Sequence, residues 1–299
     1  MINRILLIVV FVLSLISVTI SSSSKTIFFN SEPNIKVKDT SNDKIESLNL
    51  EDYIIGVVAA EMPASFHEEA LKAQAVAART YAVHKMKESD NDFDVVTDVS
   101  NQGYIDINKM KNKWGDSFNK YYEKIEKAVN DTKGQVMLYE GNVIEAYYFA
   151  MSNGYTESSE LVFSESLDYI ESVESSYDNE SIKNFIVTNN IKKEDFCKRL
   201  EITCEYLNIG EIERSNTNRV NYITINNNKI KGTTFRNKLN LRSTDFTIKV
   251  TNDSLEITTK GYGHGVGMSQ YGANGMAKDG VKYKDILKHF YKNIEISTI

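Results

Sequence analysis

Apolar positions recur at helical spacing in the first well-patterned stretch of the chain, residues 48–85. From Leu50 the pattern continues through the apolar run 54–60 to a single carboxylate, Glu61, which stands two residues before Pro63. Proline disfavours α geometry in the residue before it. The pattern therefore predicts a helix that begins near Leu50 and ends around Glu61.

A second helix is predicted directly after this break. Ser65 and Glu68 stand three residues apart and indicate a capping box at its start. Within the helix, Lys72 and Arg79 are seven residues apart, so they project from one face among several alanines. Cations on so alanine-rich a helix indicate close packing against neighbouring elements.

The rest of the pattern predicts a mixed α+β fold of antiparallel strands with packed helices. Strands are expected at 35–38, 93–97, 135–139, 143–150, 220–225, 229–231, 246–250 and 255–259. Helices are expected at 117–132, 191–200 and 233–239. Residues 151–184 are rich in Ser and Glu and carry few such signals, which predicts a long ordered loop or lid.

The N-terminus carries the apolar run 5–20, which follows Arg4 and precedes a run of serines. This run is short for a membrane span and long for the core of a signal peptide, and no A-x-A-like cleavage site follows it. The pattern favours an uncleaved signal-anchor helix at 1–24 over a removed signal peptide. The positive residue before the run places the remainder outside the membrane. Residues 25–47 then form a polar linker, and 48–299 the main domain.

Composition narrows the class of protein. The 299 residues, 41% of them hydrophobic, can bury a sizeable core as one large domain or as two interlocked ones. The net charge of −6 comes from 41 acidic and 35 basic residues and argues against general nucleic-acid binding. Cys197 and Cys204 are compatible with a local disulfide in an exported protein, or with buried free thiols. The four histidines show no metal-ligand spacing.

Glu61 is the candidate catalytic residue. The negative end of the helix dipole and the apolar residues before it both disfavour the ionised carboxylate, which raises the pKa toward that of a general acid. A nearby Lys72 or Arg79 would act in the opposite direction. The alternative is therefore that Glu61 forms a salt bridge with one of these cations and only fixes two helices together.

A glycine-rich segment, 261–280, is the second informative stretch. Glycine recurs at 261, 263, 265 and 267, which favours positive φ angles and the close approach of a ligand or another backbone. No dinucleotide-binding register fits it. We expect the segment to form one wall of the cleft that contains Glu61, with His264 and Gln270 facing a ligand. Gly272 and Gly275 are then expected to pack on the alanine-rich helix.

Three motifs together closely resemble the stage II sporulation protein D family, whose relatives include cell-wall amidase enhancer proteins. They are GVVAAEMPASF at 56–66, ALKAQAVAARTYA at 70–82 and GHGVGMSQYGA at 263–273. The resemblance implies a membrane-anchored lytic transglycosylase that acts on peptidoglycan. Its catalytic domain would be extracytoplasmic, between the forespore and mother-cell membranes during engulfment. Its glutamate in A-A-E-M-P, here Glu61, would act as acid and then as base.

The resemblance also implies binding residues and partners. The positions that match glycan-binding or supporting groups of the family are Lys72, Arg79, Tyr169, Arg242, His264 and Gln270. Some members hold zinc with Cys and His after A-R-T-Y-A, but residues 95–106 here contain neither, so no metal or other cofactor is expected. The implied partners are peptide-stripped glycan strands, a cell-wall amidase, other engulfment proteins and the membrane.

A second function stays open at this point. A non-enzymatic module that presents glycan to a partner amidase would need the same cleft and the same binding residues. Under that interpretation Glu61 would bind glycan and would not transfer a proton.

Overall fold

The computed structural model describes residues 33–98, 101–163 and 165–299, and they form a mixed α+β fold. Most strand pairs are antiparallel, as the sequence predicts, and helices pack around several small sheets. The predicted signal-anchor, 1–24, lies outside the described residues. Within the described ranges, every helix is too short or too polar to cross a membrane.

Helices and strands are interspersed along the chain. The helices are α1 (Leu50–Glu61), α2 (Glu68–Glu88), α3 (Ile107–Trp114), α4 (Phe118–Asn130), α5 (Ser159–Phe163), α6 (Lys193–Leu200), α7 (Gly232–Leu239), α8 (Gln270–Lys278) and α9 (Tyr283–Phe290). The strands are β1 (Asn34–Lys38), β2 (Ile45–Asn49), β3 (Val95–Val96), β4 (Gln135–Tyr139), β5 (Asn142–Val143), β6 (Tyr148–Phe149), β7 (Ile186–Lys192), β8 (Ile209–Arg214), β9 (Val220–Ile225), β10 (Asn228–Lys231), β11 (Phe246–Val250), β12 (Ser254–Lys260), β13 (Met268–Ser269) and β14 (Glu295–Thr298).

The break between α1 and α2 confirms the predicted helix end at Glu61. The side chain of Asn49 caps the start of α1 by accepting hydrogen bonds from first-turn N–H groups. The capping box predicted for α2 is wrong, because its cap is His67 and not Ser65. The ring Nδ1 of His67 accepts from the N–H of Glu69 at 3.3 Å.

Helix α2 is the central element of the larger of two hydrophobic cores. Its alanines are buried, and α1, α4, α8, α9 and β4 all pack on it. Small side chains let these neighbours approach the α2 backbone closely. The helix thus carries α1, which ends in Glu61, and α8, which begins with Gln270, on one scaffold.

Part of the predicted linker belongs to this core. Strands β1 and β2 pair antiparallel, and β1 also pairs with β3 in parallel. Ile35 and Val37 of β1 are 0% and 3% exposed. The folded domain therefore includes residues that the sequence pattern placed in a linker up to residue 47, because alternate apolar side chains of β1 reach the core.

Residues 186–260 form a second lobe with its own core, and we call the remaining described residues the first lobe. The two sheets of the second lobe have the strand orders β11-β12-β7 and β10-β9-β8. Cys197 and Cys204 form a disulfide that links α6 to the loop after it. The helix predicted at 191–200 begins only at 193, because the preceding residues pair with β12 as β7.

The first-lobe residues 151–163 and 165–184, which precede the second lobe, are ordered around a buried carboxylate, that of Asp178. Its Oδ2 accepts from the N–H of Ser152 at 3.1 Å, from Oγ of Ser175 at 2.8 Å and from Oγ of Ser269 at 2.6 Å. Ser269 is also the N-cap of α8. The loop is therefore fastened directly to the start of the helix that carries Gln270.

The small-residue face of α8 packs on this same loop. A Cβ at Gly272 would lie 2.2 Å from Oγ of Ser175, and one at Gly275 would lie 2.4 Å from the side chain of Tyr177. The prediction that these two glycines pack on α2 is therefore wrong. Helix α8 does contact α2, but through larger side chains, such as the Gln270–Gln74 amide pair at 3.4 Å.

Candidate active site

A cleft of about 790 Å³ lies where the two lobes meet. The first lobe supplies the end of α1, the residues around β6 and the glycine-rich segment, and the second lobe supplies α7 and the loop after it. Four of the residues predicted from the sequence line this cleft: Glu61, Arg242, His264 and Gln270.

Glu61 reaches the cleft from the last position of α1. Its Oε1 accepts a hydrogen bond from the backbone N–H of Gly103 at 2.7 Å. Burial raises the pKa of Glu61 above its usual range, and this effect outweighs the opposing effects of the Gly103 N–H, the Gln270 side chain and the charge of Lys113. The geometry therefore presents a carboxyl group that holds its proton to higher pH than an exposed glutamate.

The cation that acts on Glu61 is Lys113 of α3, which the sequence pattern did not indicate. Its Nζ donates to the carbonyl oxygen of Ala59, two residues before Glu61, at 2.8 Å. Neither Lys72 nor Arg79 forms an ion pair with Glu61. The salt-bridge alternative left open by the sequence is thus not realised among the described residues.

Gly103 was also missed by sequence reasoning. A Cβ at this position would lie 2.9 Å from Oε1 of Glu61, closer than real Cβ contacts, so a larger residue would displace either the carboxyl group or the chain. The absence of a side chain is what allows the Gly103 N–H to reach the carboxylate. A single glycine in the segment QGYID gave no pattern from which this contact could be inferred.

A chain of buried polar groups holds the backbone beside Gly103. The Nε2 of Gln102 donates to the carbonyl oxygen of Ala78 at 3.1 Å and to the hydroxyl of Tyr148 at 2.9 Å. Tyr53 donates its hydroxyl proton to Oε1 of Gln102 at 3.2 Å. Burial raises the pKa of Tyr148 well above its usual range, so its phenol stays neutral. These contacts position the N–H that meets Glu61.

His264 lines the cleft, but both of its ring nitrogens are engaged by backbone. Nδ1 accepts from the N–H of Val266 at 3.1 Å, and Nε2 lies 3.0 Å from the carbonyl oxygen of Tyr148, to which it donates. Burial, followed by the charge of Arg236, lowers the pKa of His264 to about 4. The imidazole is therefore neutral and fixed, and it joins the glycine-rich segment to β6.

The glycine-rich segment has the positive φ angles that its sequence predicts, from +77° at Gly261 and Gly267 to +120° at Gly263. A Cβ at Gly267 would lie 1.9 Å from the carbonyl oxygen of Tyr147, and one at Gly263 would lie 2.7 Å from Cβ of Phe149. What approaches closely is thus the chain around β6, to which β13 is hydrogen-bonded. This contact fixes the glycine-rich segment beside β6, where it forms part of the cleft wall.

Comparison with known proteins assigns the chain to a family. Residues 38–139 match the family model described as stage II sporulation protein. The chain is 41% identical to stage II sporulation protein D of Bacillus amyloliquefaciens and 40% identical to that of Bacillus subtilis (strain 168), each over 270 residues that cover 88% of this chain and 78% of the relative. The chain belongs to the stage II sporulation protein D family.

A more distant relative of the family is also similar to the chain. The protein named amidase enhancer of Bacillus subtilis (strain 168) is 29% identical over 298 residues, which cover 81% of this chain and 40% of that longer protein. The resemblance drawn from the three sequence motifs is thus confirmed, including its link to amidase enhancers. The family places this chain among sporulation proteins.

Three of the family-matched residues lie outside the cleft lining. Lys72 forms ion pairs with Glu68 at 3.0 Å and with Asp131 at 2.8 Å, near the start of α2. The hydroxyl of Tyr169 accepts from the N–H of Glu145 at 3.1 Å. The Lys72–Asp131 and Tyr169–Glu145 contacts each join two different segments of the first lobe.

Arg79 is fully buried and is bound by Glu51 of α1. Its Nε donates to Oε1 at 2.9 Å and its Nη2 donates to Oε2 at 2.6 Å, the two-point geometry that guanidinium and carboxylate groups favour. The α2 face that carries Lys72 and Arg79 is turned toward α1, α4 and β4. Direct contact between Arg79 and a ligand in the cleft does not agree with this burial.

Proposed function

We propose that the chain is a peptidoglycan lytic transglycosylase that cleaves the bond between N-acetylmuramic acid and N-acetylglucosamine. The observation that carries the proposal is Glu61, the one carboxylate among the described residues that line the cleft, with a pKa raised by burial. A general acid must hold its proton at the working pH, and burial favours that form. Membership of a sporulation family with an amidase-enhancer relative supports a substrate in the cell wall.

In the proposed reaction Glu61 gives its proton to the glycosidic oxygen as the bond from C1 of muramic acid to that oxygen breaks. The C6 hydroxyl of the same sugar then forms a bond to C1, and the carboxylate of Glu61 takes the proton of that hydroxyl. The products are a strand that ends in 1,6-anhydro-muramic acid and a free 4-hydroxyl on N-acetylglucosamine. No water is consumed.

One carboxylate is enough for this chemistry because the nucleophile belongs to the substrate. Glycosidases that use water commonly need a second carboxylate as base or nucleophile. Glu61 instead serves as acid and base in turn. The Gly103 N–H stabilises its ionised form between the two steps, and the Gln270 side chain does the same. The carboxyl group therefore has an environment suited to both of its protonation states.

The setting of the reaction is also part of the proposal. We place the catalytic domain outside the cytoplasm, held by an N-terminal anchor and acting with an amidase and other engulfment proteins on strands from which stem peptides have been removed. No metal or other cofactor takes part in the proposed steps. A disulfide at Cys197–Cys204 is consistent with an oxidising compartment.

The amidase-enhancer relative favours one alternative, a module that binds glycan and activates an amidase without cutting the strand. The two functions differ at Glu61. In the enzyme the carboxyl group must transfer a proton, whereas in a binding module its amide would serve equally well as a hydrogen-bonding group.

The substitution Glu61→Gln tests the proposal. Gln keeps the shape and hydrogen-bonding capacity of the side chain but cannot transfer the proton, so we expect cleavage of peptide-free glycan strands to fall by about 10²–10⁴-fold. Binding of the same strands should stay within a few fold of the wild-type value. Fragments are measured by mass spectrometry, and binding by titration calorimetry.

Glu205→Gln is the matched control, since Glu205 is exposed and lies outside the cleft lining. It should cleave at the wild-type rate. Cleavage by Glu61→Gln at the rate of this control would refute the acid assignment. Amidase activation that Glu61→Gln leaves intact, with no cleavage by the wild type, would favour the alternative.

A further inference from the structure

Two arginines of the second lobe, Arg236 and Arg242, line the cleft that contains Glu61. Arg236 projects from α7, and its Nε donates to the carbonyl oxygen of Arg242 at 3.3 Å. The guanidinium of Arg242 lies 4.0 Å from the ring centroid of Tyr262, which is itself 46% exposed. The backbone contact and the ring contact hold both guanidinium groups in the same part of the wall.

Neither arginine forms an ion pair with a carboxylate of the described residues. Nη2 of Arg242 has one long contact, to the carbonyl oxygen of Asn184 at 3.4 Å, and its buried Nε has no hydrogen-bond partner in the described chain. Two of the arginines outside the cleft do face a carboxylate. Arg79 is paired with Glu51, and Arg214 lies 3.5 Å from Asp245.

The other charges of the cleft leave this part of the wall positive. Among the described residues that line the cleft, Glu61 is the one carboxylate. Its raised pKa keeps it protonated to a higher pH than an exposed glutamate. His264 is neutral and has both ring nitrogens bonded to backbone. Two unpaired guanidinium groups in a partly enclosed cleft match the geometry of a carboxylate, to which each can donate two parallel hydrogen bonds.

We propose that Arg236 and Arg242 bind the free lactyl carboxylate of muramic acid in the peptide-free strands that the proposed function takes as substrate. This inference rests on the proposed function, which supplies the glycan. In an intact strand the lactyl carboxyl group is joined to the stem peptide as an amide, so it has no negative charge and is much bulkier. N-acetylglucosamine carries no lactyl group at all. The arginine pair would therefore recognise both the sugar and its peptide-free state.

The test compares two ligands that differ in this charge alone. Peptide-free glycan strands are used as they are, or after every lactyl carboxyl group has been converted to its methylamide, which is neutral and small. Binding is measured by titration calorimetry with full-length Glu61→Gln, so that strands are not cut. Loss of a charge-assisted contact predicts binding about 10- to 100-fold weaker for the methylamide strands.

Variants assign the selectivity to the arginines. Arg236→Gln and Arg242→Gln should each weaken binding of the carboxylate strands and leave binding of the methylamide strands nearly unchanged. Arg236→Lys keeps the charge but loses the planar fork, and should fall between wild type and Arg236→Gln. Arg199→Gln is the control, because Arg199 is an exposed arginine of the same lobe outside the cleft lining. It should discriminate as the parent protein does.

The outcomes separate this inference from the proposed function. Equal affinity for the two kinds of strand, together with cleavage by wild type, would overturn the carboxylate site and keep the lytic activity. Selective binding of carboxylate strands by a wild-type protein that cuts neither would support the site and overturn the lytic activity. Absence of binding to either strand, by wild type and by Glu61→Gln, would overturn both.

Discussion

At the residue scale, burial and hydrogen bonding act on Glu61 in opposite directions. Burial disfavours the ionised carboxylate, whereas the Gly103 N–H, the Gln270 side chain and the charge of Lys113 favour it. The net effect is a raised pKa. The native state therefore keeps this proton at a pH where the unfolded chain has already lost it.

This raised pKa predicts how activity and stability change with pH. Between the unfolded and folded pKa values of Glu61, the native state binds more protons than the unfolded chain. The contribution of Glu61 to the free energy of unfolding therefore falls as pH rises through this interval. Activity should decline through the folded pKa as the acid ionises. Lys113→Met removes a charge that lowers this pKa, so the descending limb of the kcat/KM profile should move to higher pH.

Lys111→Met is the control for that profile, since it removes the same charge from the same helix at a position that does not act on Glu61. Its limb should coincide with that of the wild type. A limb that moves to lower pH in Lys113→Met would contradict the account, as would equal shifts in the two variants.

Gly103→Ala tests the contact that orients the acid. The added methyl carbon would lie 2.9 Å from Oε1 of Glu61, so the carboxyl group or the Gly103 backbone must shift. A displacement of this size at a reacting group should lower kcat by about 10- to 100-fold. Gly210→Ala is the control, because Gly210 lies in β8 outside the cleft lining and its added Cβ would be 3.3 Å from the nearest atom. This variant should keep the wild-type kcat. Equal kcat for both variants would show that the N–H contact does not matter.

The sequence indicated Glu61, His264, Gln270 and Arg242 because each stands in a motif or beside an unusual run of small residues. It could not indicate Lys113 or Gly103, whose importance arises from contacts across 42 or more positions of the chain. Arg79 lies in the predicted helix together with Lys72, but the face it occupies is turned to other elements. Spacing along a helix does not say which neighbour covers that face.

At the scale of elements, the glycine-rich segment shows how backbone geometry forms the cleft wall. Strand β13 continues directly into α8, and β13 pairs in parallel with β6. The pairing requires the segment to pass against the backbone around Tyr147, which excludes a side chain at Gly267. The segment thereby holds His264 and Gln270 at positions where they line the cleft.

Gly267→Ala should destabilise the protein for two reasons, the positive φ of +77° and a Cβ only 1.9 Å from the carbonyl oxygen of Tyr147. We expect the free energy of unfolding to fall by about 2–5 kcal/mol, from backbone strain together with overpacking. Gly280→Ala is a matched control, because its φ is +91° but no atom lies within 4 Å of the added Cβ. Strain alone should cost about 1–2 kcal/mol there.

Urea unfolding of both variants measures this difference. Losses of equal size would show that the close approach to Tyr147 contributes nothing beyond the φ angle. A larger loss for Gly267→Ala would support the view that β6 and the glycine-rich segment form one tightly packed wall.

Local patterns predicted most of the elements in the structure, including α1, α4, α7 and the β11–β12 hairpin. Local patterns missed several elements, among them β7, β14 and the helices α3 and α9. Strands β7 and β14 pair with β12 and β4, which are distant in sequence. The strand predicted at 143–150 is only partly formed, because it is interrupted between β5 and β6, and β6 pairs with β13. Such pairings depend on the tertiary fold and leave little trace in the local alternation of apolar residues.

At the scale of the whole molecule, the cleft exists because two separate cores meet there. Glu61 comes from the first lobe, and the two unpaired arginines come from the second. The sequence left open whether there was one domain or two, and nothing in its patterns placed α7 beside the glycine-rich segment. The division of charge across the cleft, with the acid on one lobe and the cations on the other, is known only from the fold.

The origin of the oxygen at the new end of the glycan distinguishes a lytic transglycosylase from a hydrolase. The most direct measurement is digestion of peptide-free strands by the wild-type protein in ¹⁸O-labelled water with EDTA present, followed by mass spectrometry of the terminal muramic acid. We expect a 1,6-anhydro end, which is lighter than the reducing sugar by one water and free of ¹⁸O. A reducing end that carries one ¹⁸O atom would make the protein a hydrolase and would contradict this expectation.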